Sequence, residues 1–142
     1  MTPKMLLYSD GGARGNPGPA AIAFIAQNEL SQTIKTDTRY IGIHTNNQAE
    51  YEALLLALKF ATSFGAQDVI CHLDSELVVK QINGEYAVKN SVMRLYWCKV
   101  KELQSSFVKI AFVNVRRTNP HIAQADALVN RTLDAQTESN LR

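Results

Sequence analysis

Residues 4–26 read KMLLYSDGGARGNPGPAAIAFIA. An apolar run, Lys4–Ser9, ends at an acid, Asp10. From Gly11 to Pro19 the chain holds four of its seven glycines and two of its four prolines. Glycine and proline are the strongest local breakers, so this stretch reads as a loop between two strands. The second strand is Ala20–Ala26. Ser31–Arg39 alternates weakly at Ile34, Thr36 and Thr38 and reads as a third, more exposed strand. The short connection around Asn28-Glu29 makes strands two and three a hairpin. Three strands joined in this way are antiparallel neighbours.

Downstream the period changes. Thr45-Asn-Asn-Gln-Ala-Glu50 opens a helix, with capping-box spacing between Thr45 and Gln48 or between Asn47 and Glu50. Ala49–Phe64 is rich in alanine and leucine, and Gly65 supplies the stop. Its apolar residues wrap widely, so this helix is expected to pack deep against a sheet. Val69–Leu73 is a short strand ending at Asp74. Ser75 can cap a helix over Glu76–Ile82, which Asn83-Gly84 terminates. A further helix starts at Asn90 or Ser91 and runs to about Ser105. Val108–Val115 reads as the last strand, and Arg116–His121 as a polar loop. A final helix begins at Ile122 or Ala123 and reaches about Leu133, with Gln136–Arg142 as a frayed tail. The order β-β-β-α-β-α-α-β-α predicts an α/β fold: a mixed five-stranded sheet, three antiparallel strands then two parallel, flanked by helices. One domain over residues 1–136 and a flexible tail over 137–142 are expected.

The chain has 142 residues, 46% hydrophobic and 20% charged, the balance of one soluble globular domain. No apolar run approaches the ~18 residues that span a bilayer, so no membrane partner is expected. The N-terminus lacks the pattern of a signal peptide. Cys71 and Cys98 stand 27 residues apart without a CxxC, which excludes a disulfide framework and a cysteine-rich zinc site. A reducing, cytoplasmic setting is the expectation. Net charge is only +2, yet residues 80–117 hold eight Lys/Arg against two Glu while residues 1–79 hold five Lys/Arg against eight Asp/Glu. Acids beside a basic segment fit a polyanion gripped next to working carboxylates; a solvated, lysine-rich helix face is the competing reading.

Four acids fall at particular places. Asp10 ends the first predicted strand and Asp74 the fourth. If those strands are parallel neighbours, both carboxylates share the sheet edge where α/β folds bind ligands. Glu50, in the first turn of the long helix, and Asp126, near the start of the last, can point to the same edge. Each alone fits a cap or a turn. Together, unpaired carboxylates repel and raise one another's pKa unless a cation neutralises them. The all-oxygen set selects Mg²⁺ or Mn²⁺ over zinc.

The strings Tyr8-Ser-Asp-Gly-Gly-Ala-Arg-Gly-Asn-Pro-Gly-Pro19, Thr45-Asn-Asn-Gln-Ala-Glu-Tyr51, Leu73-Asp-Ser-Glu76 and Ala125-Asp-Ala-Leu128 resemble type 1 ribonuclease H in order and separation. The resemblance covers nearly all of residues 4–135. It implies a metal-dependent endonuclease that cuts the RNA strand of RNA–DNA hybrids to 5′-phosphate and 3′-hydroxyl products. Asp10, Glu50, Asp74 and Asp126 would be both the catalytic and the metal-binding residues, holding two Mg²⁺ or Mn²⁺ ions, with Asp10 on the most central strand bridging them. It further implies substrate contacts at Gly11, Gly12, Asn16, Thr45, Asn46, Asn47 and Asn90. Asn16, Asn46 and Asn47 would read 2′-hydroxyls and minor-groove edges. Gly11 and Gly12 would let backbone approach the RNA. Thr45 and Asn90 would hold a phosphate of the DNA strand. Helix capping is the competing role for Asn46 and Asn47, and a turn before Pro17 for Asn16.

Several positions depart from the family pattern. Many members carry a proton-transferring or product-releasing His in the loop before the last Asp. Here His121 is the candidate for that proton-transfer or product-release role, though out of register, and Arg117 and Thr118 fill the nearer alignment. Ile43 stands where relatives often place an Arg for the DNA phosphate. The stretch from Asp74 to Val108 is shorter than in members with a basic protrusion, and no hybrid-binding domain is expected ahead of Asp10. A weaker grip on substrate follows. Trp97 reads as core or groove wall. Double-stranded RNA stays open as a second substrate, and a monomer is expected. The rival readings are a non-catalytic nucleic-acid-binding module of the same fold and one lobe of a sugar-kinase or actin-like ATPase. The first requires loss of a metal carboxylate, and the second requires two such domains.

Overall fold

A computed structural model describes residues 4–140. The elements are β1 Lys4–Ala13, β2 Gly18–Asn28, β3 Thr33–His44, α1 Asn46–Phe64, β4 Asp68–Leu73, α2 Glu76–Ile82, α3 Ser91–Gln104, β5 Lys109–Asn114 and α4 Pro120–Asn140. The sheet order is β3-β2-β1-β4-β5. β1 pairs antiparallel with β2 and parallel with β4, and β4 pairs parallel with β5. The expected mixed sheet is therefore present, with β1 at its centre.

Helices cover both faces, and the strand alternation shows it. On β2, Ala20, Ile22, Phe24 and Ala26 face α1, while Ala21, Ala23 and Ile25 face α4. A strand covered on both sides reads as continuous apolar sequence, as this one does. Met5, Leu7, Val69, Cys71 and Leu73 from the sheet join Tyr51, Leu54 and Leu58 of α1 and Val100 of α3 in the main core. Tyr8 meets Ile122, Ala125, Val129 and Leu133 of α4 on the opposite face. Among the described residues, no helix is long and apolar enough to cross a membrane.

Three boundaries differ from the sequence reading. β1 does not end before Gly11: it continues to Ala13, because Gly11, Gly12 and Ala13 keep their ladder partners Ile22, Ala21 and Ala20. The true loop is only Arg14–Pro17. β3 extends past Arg39 to His44 through a bulge opposite Ala20/Ala21, with Gly42 at φ 81°. The start of α1 agrees with the first of the two expected caps: it begins at Asn46, because Thr45 closes a full capping box with Gln48. α4 starts at Pro120 and continues to Asn140, so residues 137–140, expected in the tail, are helical. The remainder of that expected tail, residues 141 and 142, lies outside the described residues.

Candidate active site

The parallel ladder between β1 and β4 closes at Tyr8↔His72. Two residues further along each chain stand Asp10 and Asp74. Asp10 lies within β1, still paired with Ala23 on the β2 side, while Asp74 follows the end of β4. Glu50 arrives from α1, one turn after the cap, and its Oε1 accepts the Gly11 N–H at 3.2 Å. Ligand oxygens of Asp10, Glu50 and Asp74 all lie within 4.8 Å of one another. Asp126, from α4, lines the same cleft of about 460 Å³.

The approach of α1 depends on one glycine. A Cβ on Gly11 would run into the Ala49 carbonyl. Gly11 is thus explained by the seating of α1, which carries Glu50, rather than by an approach to ligand. Gly12 has room for a Cβ, with Val129 in ordinary contact at 3.9 Å.

Electrostatics in the cleft are strained. Burial, then the charge of Asp74, pushes the Asp10 carboxyl up to about 8, and Asp126 adds to the rise. Burial, then the charge of Asp10, holds Glu50 well above the usual carboxylate range. Asp74 is raised by burial, opposed by Arg117, whose Nε lies 3.8 Å from Asp74 Oδ2. Glu50 Oε2 is buried without a hydrogen-bond partner. An orphaned buried oxygen beside two more carboxylates, with oxygen as the only donor type, fits a hard divalent cation.

The expected substrate contacts divide between two neighbouring cavities. Gly11, Gly12 and Asn46 line the carboxylate cleft. Asn16, Thr45, Asn47 and Asn90 line a second cavity of about 340 Å³ between the starts of α1 and α3. Their side chains also build structure. Thr45 Oγ1 accepts the Gln48 N–H, and Asn90 Oδ1 accepts those of Val92 and Met93. Asn46 Oδ1 accepts the Ala13 N–H at 2.8 Å, and Asn16 Oδ1 accepts the Asn46 N–H at 3.0 Å. The glycine-rich turn and the start of α1 are thereby locked together. Ile43 is exposed beside this region.

The histidines are elsewhere. His121 does not line the cleft: its ring packs 4.7 Å from Tyr8 and lies 3.3 Å from Gln27 Nε2. It stands in the first turn of α4, whose first N–H groups are capped by Asn119. The pair Asn119-Pro120, a cap followed by a proline suited to the first helical position, was a readable signal for that start. His72 stacks on Tyr8 within the sheet, and His44 ends β3. The loop residue that faces the carboxylates is Arg117. Two cleft residues escaped the sequence reading, Arg14 and Asn130. Asn130 donates to the Asp126 carbonyl at 3.1 Å and approaches its Oδ2 at 3.4 Å. Their only sequence signals were a place in the glycine-rich string and a four-residue spacing from Asp126. Trp97 is half-buried, its Nε1 donating to the Gln81 carbonyl at 3.1 Å, as a groove-wall residue would.

This central β1 with oxygen donors beyond its parallel ladder defines a ribonuclease H-like fold. The family model described as "Reverse transcriptase-like" matches residues 8–132. Ribonuclease HI of Halobacterium salinarum is 38% identical over 127 residues, 89% of this chain and 63% of that protein. A bifunctional protein of Mycobacterium tuberculosis is 34% identical over 137 residues, 96% of this chain and 37% of that protein. The chain therefore spans less than two-thirds of either relative's length. Among solved structures, LC11-RNase H1 in complex with an RNA/DNA hybrid is 38% identical with a TM-score of 0.88, covering 94% of this chain and 99% of that one. The chain belongs to the type 1 ribonuclease H family.

Proposed function

We propose that the chain is an endonuclease that hydrolyses the RNA strand of RNA–DNA hybrids, using divalent metal ions and leaving 5′-phosphate and 3′-hydroxyl ends. The observation that carries the reading is the convergence of Asp10, Glu50 and Asp74 within 4.8 Å, with Asp126 on the wall of the same cleft. These four carboxylates would hold the ions, Mg²⁺ or Mn²⁺. Two such ions supply an activated water and stabilise the leaving 3′ oxygen.

The chain's own residues do the rest. Arg117, beside Asp74, favours the ionised carboxylate there and presents an exposed guanidinium at the cleft. In the second cavity the caps use acceptor oxygens. The amide NH₂ groups of Asn16 and Asn90 and the Thr45 hydroxyl hydrogen there, like the NH₂ of Asn46 in the carboxylate cleft, have no acceptor among the described residues. Donors without acceptors suit an anionic, hydroxyl-bearing ligand. Thr45 and Asn90 are assigned to a phosphate of the DNA strand. Asn16, Asn46 and Asn47 are assigned to the RNA strand's 2′-hydroxyls and minor-groove edges.

The test is incubation of labelled hybrid, duplex RNA and duplex DNA with Mg²⁺ or Mn²⁺, beside Asp10→Asn. Cleavage of hybrid by the parent and its loss in the variant are expected. A variant as fast as its parent overturns the assignment. A parent that binds hybrid and leaves it intact makes the chain a binding module, and the duplex RNA lane decides that second substrate.

A further inference from the structure

Among the described residues, two cationic side chains line the carboxylate cleft, Arg14 and Arg117. Arg117 is placed by the geometry above. Arg14 has no role yet. It opens the tight turn Arg14–Pro17, lines the cleft with the four acids, and reaches across it to α4. Its Nη2 lies 2.6 Å from Asp134 Oδ1 and donates to the Asn130 carbonyl at 3.3 Å. Its backbone is fixed: the Arg14 N–H donates to Pro19 O at 2.8 Å, and a Cβ on Gly18 would collide with the Arg14 carbonyl.

Resting on the endonuclease reading, we infer that Arg14 grips a backbone phosphate of the strand being cut, on the α4 side of the scissile bond, and that Asp134 holds its guanidinium until that phosphate arrives. The pair is exposed, with side chains 43% and 63% accessible, and an exposed ion pair is weakly held. Among the described residues, Nε and Nη1 of Arg14 make no hydrogen bond. A guanidinium with an unused edge binds phosphate through two parallel N–H donors, whereas one carboxylate oxygen here engages a single nitrogen. In the absence of divalent ion, a polyanion entering a cleft walled by four carboxylates meets repulsion, which Arg14 and Arg117 oppose.

The experiment is hybrid binding by the intact chain without divalent ion across a salt series, with cleavage kinetics in Mg²⁺ alongside. Arg14→Gln is expected to lower the slope of log affinity against log salt by about one. It should raise KM about tenfold with kcat within about twofold. Arg14→Lys keeps the charge and should retain most of the slope, which separates lost contact from lost folding. Asp134→Asn should tighten binding several-fold, and that gain should vanish in the Arg14→Gln background. A gain that persists there means Asp134 acts through net charge alone and overturns the exchange. An Arg14→Gln slope equal to the parent's overturns the phosphate contact. If the parent neither binds hybrid nor cleaves it in Mg²⁺, the endonuclease reading fails instead.

Discussion

The carboxylate cleft and the amide-lined cavity beside it are built on opposite principles. In the cleft, Asp10, Glu50, Asp74 and Asp126 come from four elements spread over more than a hundred residues, and they meet as like charges with Glu50 Oε2 unpaired. In the amide cavity, Thr45 and Asn90 cap their own helices, and Asn16 accepts the Asn46 N–H at the start of α1 from the turn between β1 and β2. The first region costs stability until something cationic enters it. The second stabilises the fold by itself and has donors left over. A binding surface can double as a cap; a charge cluster cannot double as core.

That contrast can be broken most sharply at Asp10. Asp10→Asn should lower hybrid cleavage at least about a thousandfold, roughly 4 kcal/mol of transition-state stabilisation, in a turnover assay. The same change should raise metal-free stability near pH 8, where the parent's Asp10 ionises. No change at Asn90 should do both.

The pH dependence of stability follows from the same group. In the folded protein Asp10 keeps its proton up to about 8, whereas the unfolded chain loses it in the ordinary carboxylate range. The native state therefore binds more protons across that interval, so stability is highest below it and falls as pH rises through about 8. The loss, shared with Glu50, is on the order of a few kcal/mol. Urea midpoints without divalent ion should drop between about pH 5 and about pH 8, and Mg²⁺ should restore them. A flat or rising metal-free profile would contradict the strained cluster.

Gly11→Ala should cost about 1–3 kcal/mol by overpacking against the Ala49 carbonyl, read as a lower thermal midpoint. Cleavage should fall with it, since Glu50 shifts as α1 is pushed off β1. Gly12→Ala, whose Cβ would meet only Val129 in ordinary contact at 3.9 Å, is the control for the thermal midpoint.

The smallest effect belongs to the amide cavity. Asn90→Ala should cost about 1 kcal/mol through the lost α3 cap. Hybrid affinity should weaken further, whereas Asn90→Asp should keep the cap and still lose affinity. Equal affinity in Asn90→Asp and the parent would leave capping as the sole role of that side chain.

Most of this architecture was legible because periodicity and breakers agreed: the apolar runs of β1, β2 and β4 and the alanine-leucine face of α1 left little room for another sheet. The four acids were legible because they fall near the predicted ends or starts of their elements, where topology alone gives direction, although Asp10 in fact lies inside β1 and Asp126 two turns into α4. The persistence of β1 through Gly11-Gly12 was not. Two glycines read as a breaker, and only the ladder to β2 and the seat of Ala49 make them strand residues. His121 drew attention as a residue type known to move protons, but Tyr8 and Gln27 hold it on the α4 face of the sheet. Arg14 and Asn130 were hidden for a related reason. Their partners on α4 are set by how that helix crosses the sheet, which no local pattern encodes.

The unequal lengths of β1 and β4 have a last consequence. Past Tyr8 the central strand keeps a neighbour on one side and loses it on the other, and the vacated lane opens between Asp10 and Asp74, where the proposed ions would enter. Lengthening β4 by two residues after Leu73, so that it keeps pace with Asp10, would fill that lane with main chain. The product would be a well-folded protein with its chemistry plugged, which makes strand length an engineering dial for this site.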